Sequence, residues 1–228
     1  MILGENFPII LKLQNASRTF AEAGEKIYVK KNQVIISPGE IINGFYYIQK
    51  GRVLCVDYSP RGNEKIEFIL ETGSIFLESN VLFDRPASVY FKAITDTQLV
   101  YITREKLLDM ITNDLNVSLF IMESLTKKFY SSVAQLREVL FYDVECRVCN
   151  LFLTMAEKFG IEEENAIKLD IKISQQFISN ILGINRNTCI RMINKLKKLN
   201  YINQIHGYYY IVDFEGLKQY HAQKIVQP

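Results

Sequence analysis

Between Ile171 and Val212 the chain carries Lys172, Arg186, Arg191, Lys195, Lys197 and Lys198 without one Asp or Glu. A segment so one-sided in charge is suited to meet a polyanion, and its residue pattern restricts the shape it can take. Residues 174–182 read as a short helix, Gly183 supplies a permissive turn, and Asn185 opens a second helix that runs to about Lys198. This is helix-turn-helix spacing. Ile178, Leu182, Ile184, Cys189, Ile193 and Leu196 recur at helical offsets and are expected to pack the pair together, leaving Arg186, Asn187, Arg191 and Asn194 on the outer side.

In such a motif the second helix enters the major groove, its N-terminal half facing base edges while other groups hold phosphates. Asn187 and Arg191 stand one turn apart, where asparagine matches adenine N6 and N7 and arginine matches guanine O6 and N7. Ser174, Gln175, Arg186, Asn194, Lys197 and Lys198 complete the candidate DNA-contact set. Downstream, Tyr201–Ile205 and Tyr208–Val212 flank His206-Gly207 and read as two strands of a wing joined by a tight turn. A winged helix-turn-helix is predicted. A solvated basic hairpin inside some other domain is the alternative.

The 228 residues exceed the usual size of one domain, which favours a regulator with a second unit. Net charge is only +2, and all of the excess lies from Asp143 onward, where 11 basic residues meet 9 acidic ones against 16 and 16 before it. The N-terminal apolar run of Ile2, Leu3, Phe7, Pro8, Ile9, Ile10 and Leu11 is broken by Glu5 and Lys12, too short to span a membrane and without a cleavage pattern, so a cytoplasmic protein is expected. Cys55, Cys146, Cys149 and Cys189 form no metal or disulfide framework: Cys146 and Cys149 make a lone C-x-x-C in an amphipathic helix, and Cys189 occupies a packing position. His206 and His221 are the only histidines, so the first half of the chain holds no haem or zinc ligand of that type and no histidine base beside a nucleophile. No metal and no cofactor is expected.

From Phe20 to Thr103 the rhythm changes to short β-rich runs, 33–36, 44–48, 51–58, 65–70 and 99–102, separated by Ser37-Pro38-Gly39-Glu40, Gln49-Lys50-Gly51, Pro60-Arg61-Gly62-Asn63 and Thr72-Gly73-Ser74. Many short strands at this spacing predict a double-sheet jelly roll that can enclose a small ligand. The segment Val34-Ile35-Ile36-Ser37-Pro38-Gly39-Glu40, followed by Phe45-Tyr46-Tyr47-Ile48-Gln49-Lys50-Gly51-Arg52-Val53, resembles the cyclic-nucleotide-binding-type domain of the Crp/Fnr family of bacterial transcription regulators. With the winged helix the resemblance covers nearly the whole chain. Within the family it looks nearest to the halorespiration regulators that respond to chlorinated phenols.

That resemblance implies a dimeric, effector-controlled regulator that binds duplex DNA as an inverted repeat and works with RNA polymerase. Cyclic-AMP-binding members use a Gly-Glu pair and an Arg-Ser/Thr pair around the ribose and phosphate. Here Glu78 is kept, but Leu77 replaces the glycine, and Arg85-Pro86-Ala87-Ser88 puts Ala87 where the arginine belongs, with Arg85 the nearest substitute. A cyclic phosphate would lose its bidentate partner. No cysteine precedes Cys55, which removes the N-terminal cluster of the iron-sulfur members. The expected effector is therefore an aromatic or hydrophobic anion, lined by Tyr46, Phe68, Phe76, Val89 and Tyr90 and anchored by Lys127, the match to the subfamily's phenolate-facing lysine, with Lys128 beside it.

A long helix from about Asn113 to Phe141 carries Met122, Leu125, Phe129, Val133, Leu136 and Leu140 at spacings of three and four, the seam of a coiled-coil homodimer. Tyr142-Asp143 reads as a hinge, with Asp143 capping the next helix. The expected architecture is α+β: a β-roll sensing domain over residues 1–112, a dimerisation helix and hinge over 113–142, and the winged helix over 143–228. The readings set against it are a cyclic-nucleotide-binding module acting on a partner protein and a cupin-type enzyme, the latter lacking barrel histidines; no enzymatic activity is expected.

Overall fold

The computed structural model describes residues 10–11, 18–163 and 165–226. Apart from Ile10 and Leu11, the N-terminal apolar run lies outside them. The elements in chain order are β1 (Ile10–Leu11), α1 (Arg18–Glu22), β2 (Glu25–Val29), β3 (Val34–Ile36), β4 (Gly44–Lys50), β5 (Arg52–Tyr58), β6 (Glu64–Glu71), β7 (Ile75–Phe76), α2 (Glu78–Leu82), β8 (Tyr90–Ala93) and β9 (Thr97–Thr103). They continue with α3 (Arg104–Asn113), α4 (Leu115–Phe141), α5 (Val144–Phe159), β10 (Gly160–Glu163), β11 (Ala166–Lys172), α6 (Gln175–Leu182), α7 (Arg186–Lys198), β12 (Ile202–Ile205), β13 (Tyr208–Ile211) and α8 (Phe214–Val226). The chain divides into two compact units whose boundary falls inside α4, between Ser132 and Val133.

In the first unit a five-stranded sheet, β1-β6-β5-β8-β3, and a four-stranded sheet, β2-β9-β4-β7, enclose one core. Strand β9 buries Thr97, Leu99, Val100 and Ile102, and β4 meets it antiparallel from Gly44 against Thr103 to Lys50 against Gln98. Between β4 and β5 the chain reverses at Gly51, with φ of 105°, where a Cβ would lie 2.6 Å from Thr97 Oγ1. Phe20, Phe45, Tyr47 and Phe120 form an aromatic group that ties α1 and α4 to the sheets. Val117, Phe120 and Ile121 of α4 lie in this core, so the first half of the long helix is part of the β-roll.

The long helix is preceded by a separate one. Asp114 breaks α3 from α4 with φ of −133° and accepts from the Asn116 backbone N–H. Sequence pattern did not separate them. It also passed over β2, β7, β8, α2, the β10–β11 hairpin and α8. Strand β2 exposes most of its residues and β10 all of them, so neither has the apolar alternation by which a strand is recognised.

In the second unit α5 and α7 pack against a four-stranded sheet, β10-β11-β13-β12, with α8 on α5 and α6 on α7. Helix α5 is its centre and buries eleven residues from Glu145 to Ala156. Asp143 caps it by accepting from the Cys146 N–H at 2.7 Å. Cys146 and Cys149 are buried, and desolvation pushes both thiols up to about 12, so they are packing groups with little thiolate character.

Candidate nucleic-acid interface and effector site

The helix-turn-helix is built by short-range chemistry. Ser174 caps α6, its Oγ accepting from the Phe177 N–H at 3.0 Å, and Gly183 ends it in the left-handed region with φ of 61°. Asn185 then caps α7 by accepting from the Asn187 N–H at 2.8 Å. Ile178, Ile181 and Leu182 of α6 and Cys189, Ile193 and Leu196 of α7 are buried, whereas Arg186, Asn187, Arg191, Asn194 and Lys198 are exposed. Asn187, Ile190, Arg191, Asn194, Lys195 and Lys198 line one open depression along α7. The structure thus brings Asn187, Arg191 and Asn194 to one surface together with Lys195 and Lys198, while Arg186 is exposed at the start of α7 outside that depression.

Two of the named groups are turned inward. Gln175 is half-buried, and its backbone carbonyl accepts a weak hydrogen bond from Cys189 Sγ at 3.5 Å. Lys197 is also half-buried: its Nζ donates to Gln204 Oε1 at 3.0 Å and lies 5.7 Å from the centre of the Tyr209 ring, and desolvation lowers its pKa. It ties α7 to the wing, whereas Lys198 stands clear of it. The Nζ atoms of Lys172 and Lys168 lie 4.8 and 5.0 Å from the centre of the Tyr208 ring, placing further positive charge on the wing sheet.

Sequence reasoning missed the groups beneath this surface. Arg147 of α5 is buried, and one guanidinium nitrogen donates to the Leu182 carbonyl at the end of α6, so a cation closes the helix just before the turn. Desolvation lowers its pKa, and the Glu138 charge opposes that. Glu145, also buried, accepts from Tyr220 Oη at 2.6 Å and from Lys195 Nζ, with Lys224 Nζ at 3.5 Å. Desolvation pushes its carboxyl upward, but the bonds from Lys195 and Tyr220 and the two lysine charges outweigh this and hold it below the ordinary value. A charge at position 145 that is complementary to basic residues fifty and more positions away leaves no local trace in the sequence.

In the β-roll, Glu78 opens α2 and is 1% exposed. Its Oε1 accepts from Ser124 Oγ at 2.8 Å and pairs with Lys128 Nζ, which also donates to the Ile75 carbonyl at 3.0 Å; its Oε2 is buried without a hydrogen-bond partner among the described residues. Lys127, expected as the anchor, pairs instead with Glu123 one turn earlier at 2.6 Å on the more exposed side of α4. Helix phase decides between the neighbours: residues 117, 120, 121, 124 and 128 share the face against the barrel. Leu77 keeps a left-handed backbone with φ of 72° although it carries a side chain, which is 98% buried as its 2% exposure records. Leucine here bears backbone strain of about 1–3 kcal/mol, offset by burial of its side chain.

The expected aromatic lining is divided. Phe76 is fully buried and stacks between Tyr46, at 5.1 Å, and Phe91, at 4.7 Å, while Phe68 and Val89 pack on the edge of the same core. Tyr90 meets Tyr58 edge-on at the far end of β5. Arg85 and Ser88 are exposed, and Ala87 is buried with its backbone bonded to Gly39 and Glu40.

A β-roll of this type followed by a winged helix-turn-helix defines a DNA-binding regulator with an effector domain. Residues 26–114 match the cyclic nucleotide-binding domain family and residues 146–220 the Crp-like helix-turn-helix domain family. The chain is 27% identical over 175 residues to the cAMP-activated global transcriptional regulator CRP of Haemophilus influenzae, covering 76% of this chain and 77% of that one. It is 24% identical over 158 residues to the CRP-like cAMP-activated global transcriptional regulator of Mycobacterium tuberculosis, covering 69% and 70%. A solved structure of CprK complexed with OCPA superposes with a TM-score of 0.78 at 19% identity, covering 96% of this chain and all of that one. The chain belongs to the Crp/Fnr family of transcription regulators.

Proposed function

We propose that this regulator works as a cytoplasmic homodimer without enzymatic activity, reads an inverted repeat with two copies of α7, acts together with RNA polymerase, and responds to an aromatic or otherwise apolar anion rather than cAMP. The observation that carries the DNA reading is the exposed row of Arg186, Asn187, Arg191 and Asn194 on a helix whose opposite face is buried. Asn187 both donates and accepts and so suits adenine, and Arg191 suits guanine. Selection of sites from random duplexes tests this: Asn187→Glu should move one position of each half-site toward C·G, by about 1–3 kcal/mol. Identical motifs from wild type and variant would exclude Asn187 from base readout.

Dimerisation is supported by α4. Leu115, Leu119, Met122, Phe129, Leu136 and Leu140 are exposed apolar residues, and with Thr126 and the half-buried Val133 they follow an unbroken alternation of four and three. Leu125, expected in this seam, packs instead against the core of its own barrel. No helix among the described residues is long and apolar enough to cross a membrane.

The relatives named above are described as cAMP-activated, but Leu77 and Ala87 here remove a flexible residue and a guanidinium from the corresponding segment. Lys128, which pairs with Glu78 and donates to the carbonyl of Ile75 next to Phe76, supplies a cation near the Tyr46–Phe76 stack. Calorimetry should give no micromolar binding of cAMP and measurable binding of a chlorinated phenol or aryl carboxylate, weakened in Lys128→Ala. Tight cAMP binding would sink this choice of effector and leave the DNA-binding function intact.

A further inference from the structure

Lys195 lines the same depression on α7 as Asn187, Arg191, Asn194 and Lys198, yet its charge is already engaged. Its Nζ lies 2.7 Å from Glu145 Oε1 and 2.8 Å from Oε2, although 45% of the lysine side chain is exposed. The carboxylate has replacements at hand: Tyr220 donates to it at 2.6 Å, and Lys224 stands 3.5 Å away with 25% of its side chain exposed. Glu145 therefore stays partnered when Lys195 leaves, and Lys195 can exchange between a protein carboxylate and a DNA phosphate. Its neighbours differ, because Lys198 is exposed and Lys197 is turned to the wing.

We propose that Glu145 is a positioning residue that withholds Lys195 from DNA phosphates, so that the recognition helix meets non-specific duplex with about one positive charge fewer than its sequence carries. The proposal rests on α7 being the DNA-contacting helix. Non-specific affinity comes almost entirely from phosphate neutralisation and counterion release, whereas specific affinity adds contacts to bases. A carboxylate that competes for one lysine lowers the first more than the second and so raises discrimination between sites. The competition is internal and close-range, so salt weakens it less than it weakens an exposed contact to a phosphate.

The full-length protein should be titrated onto a random-sequence duplex by fluorescence anisotropy at several salt concentrations, as wild type, Glu145→Gln, Lys195→Ala and the double variant. Glutamine keeps a partner for Tyr220 and removes the charge. In Glu145→Gln, non-specific binding should tighten at low salt, and the log–log salt slope should steepen by about 0.9, one added phosphate contact. That is about a threefold greater loss of affinity between about 50 and 200 mM salt. Lys195→Ala alone should leave the slope within about 0.3 of wild type, and the double variant should return to it. A slope unchanged in Glu145→Gln, or flattened by about 0.9 in Lys195→Ala, overturns the proposal. If Glu145→Gln does not fold, the Lys195→Ala slope decides alone. A wild type that binds no duplex refutes the DNA-contacting helix itself, and this proposal with it.

Discussion

Phe129 is the central exposed residue of the α4 stripe, at 64% exposure, with Leu136 one heptad on at 58%. A phenylalanine buries roughly 200 Å² when fully covered, so about 130 Å² of each Phe129 is open to a partner. At about 25 cal/mol per Å² this is worth about 3 kcal/mol per copy, and an isologous seam counts it twice. Ring packing across a two-stranded seam leaves part of each ring wet, and about half of the doubled figure, about 3 kcal/mol, is a realistic share for Phe129→Ala. The dimer dissociation constant should rise by about two orders of magnitude. Sedimentation equilibrium over a concentration series reads this directly. Leu125→Ala, on the barrel side of the helix, should lower the thermal midpoint of the β-roll without moving the dimer constant. A wild type that is monomeric at concentrations on the order of tens of micromolar, or a Phe129→Ala constant within about threefold of wild type, refutes the seam.

Lys128→Ala takes the charged partner from a carboxylate that is 1% exposed and leaves it only the Ser124 hydroxyl, and should destabilise the protein by about 3–5 kcal/mol, whereas Glu78→Gln combined with Lys128→Met should cost far less; equal losses by denaturant unfolding would show that the ion pair is not what matters. Lys198→Ala should flatten the salt dependence of DNA binding by about 0.9, while Lys197→Ala should mainly lower stability by loosening the Gln204 and Tyr209 contacts; the opposite pattern in anisotropy and melting data would reverse their roles. Stability should also depend on pH in a defined way. Glu145, held below its ordinary 4.5, contributes stability that is present above 4.5 and lost as the pH falls through its folded value, and Lys195, raised above 10.5 first by its bond to Glu145, contributes stability present below 10.5 and lost as the pH rises through its own folded value. His221, buried and lowered below 6.5 by desolvation, lets the unfolded chain take up a proton first, so stability begins to fall as the pH drops below 6.5. Thermal midpoints should therefore hold level from about 6.5 to 10.5 as far as these three groups are concerned, and His221→Gln should remove the shoulder near 6.5; an unchanged shoulder would assign it elsewhere.

The sequence alone determined the winged helix-turn-helix, because everything that shapes it acts within a few residues. Ser174 and Asn185 cap helices whose first N–H groups lie two and three positions on, Gly183 takes the left-handed turn locally, and His206-Gly207 closes the wing. The outward face of α7 followed from helical period once those ends were known. The longer strands of the β-roll were legible for the same reason, since alternation is a local signal, while β2, mostly exposed and held by pairing to the distant β9, and β10, exposed throughout and held by its hairpin with β11, carried none.

What the tertiary structure decided was the phase of one element against another. Lys127 and Lys128 are equivalent in sequence, and only the seating of α4 on the barrel sends Lys128 to Glu78 and Lys127 to Glu123. The same seating takes Leu125 out of the exposed stripe and brings Leu119 in. Lys195, Lys197 and Lys198 form one basic run, but packing gives one to Glu145 on α5, one to the wing and one to solvent. Periodicity gives the angle between residues on a helix and not the rotation of that helix against its neighbours, which is set by the summed burial of a whole face and so exists only once the domain has closed.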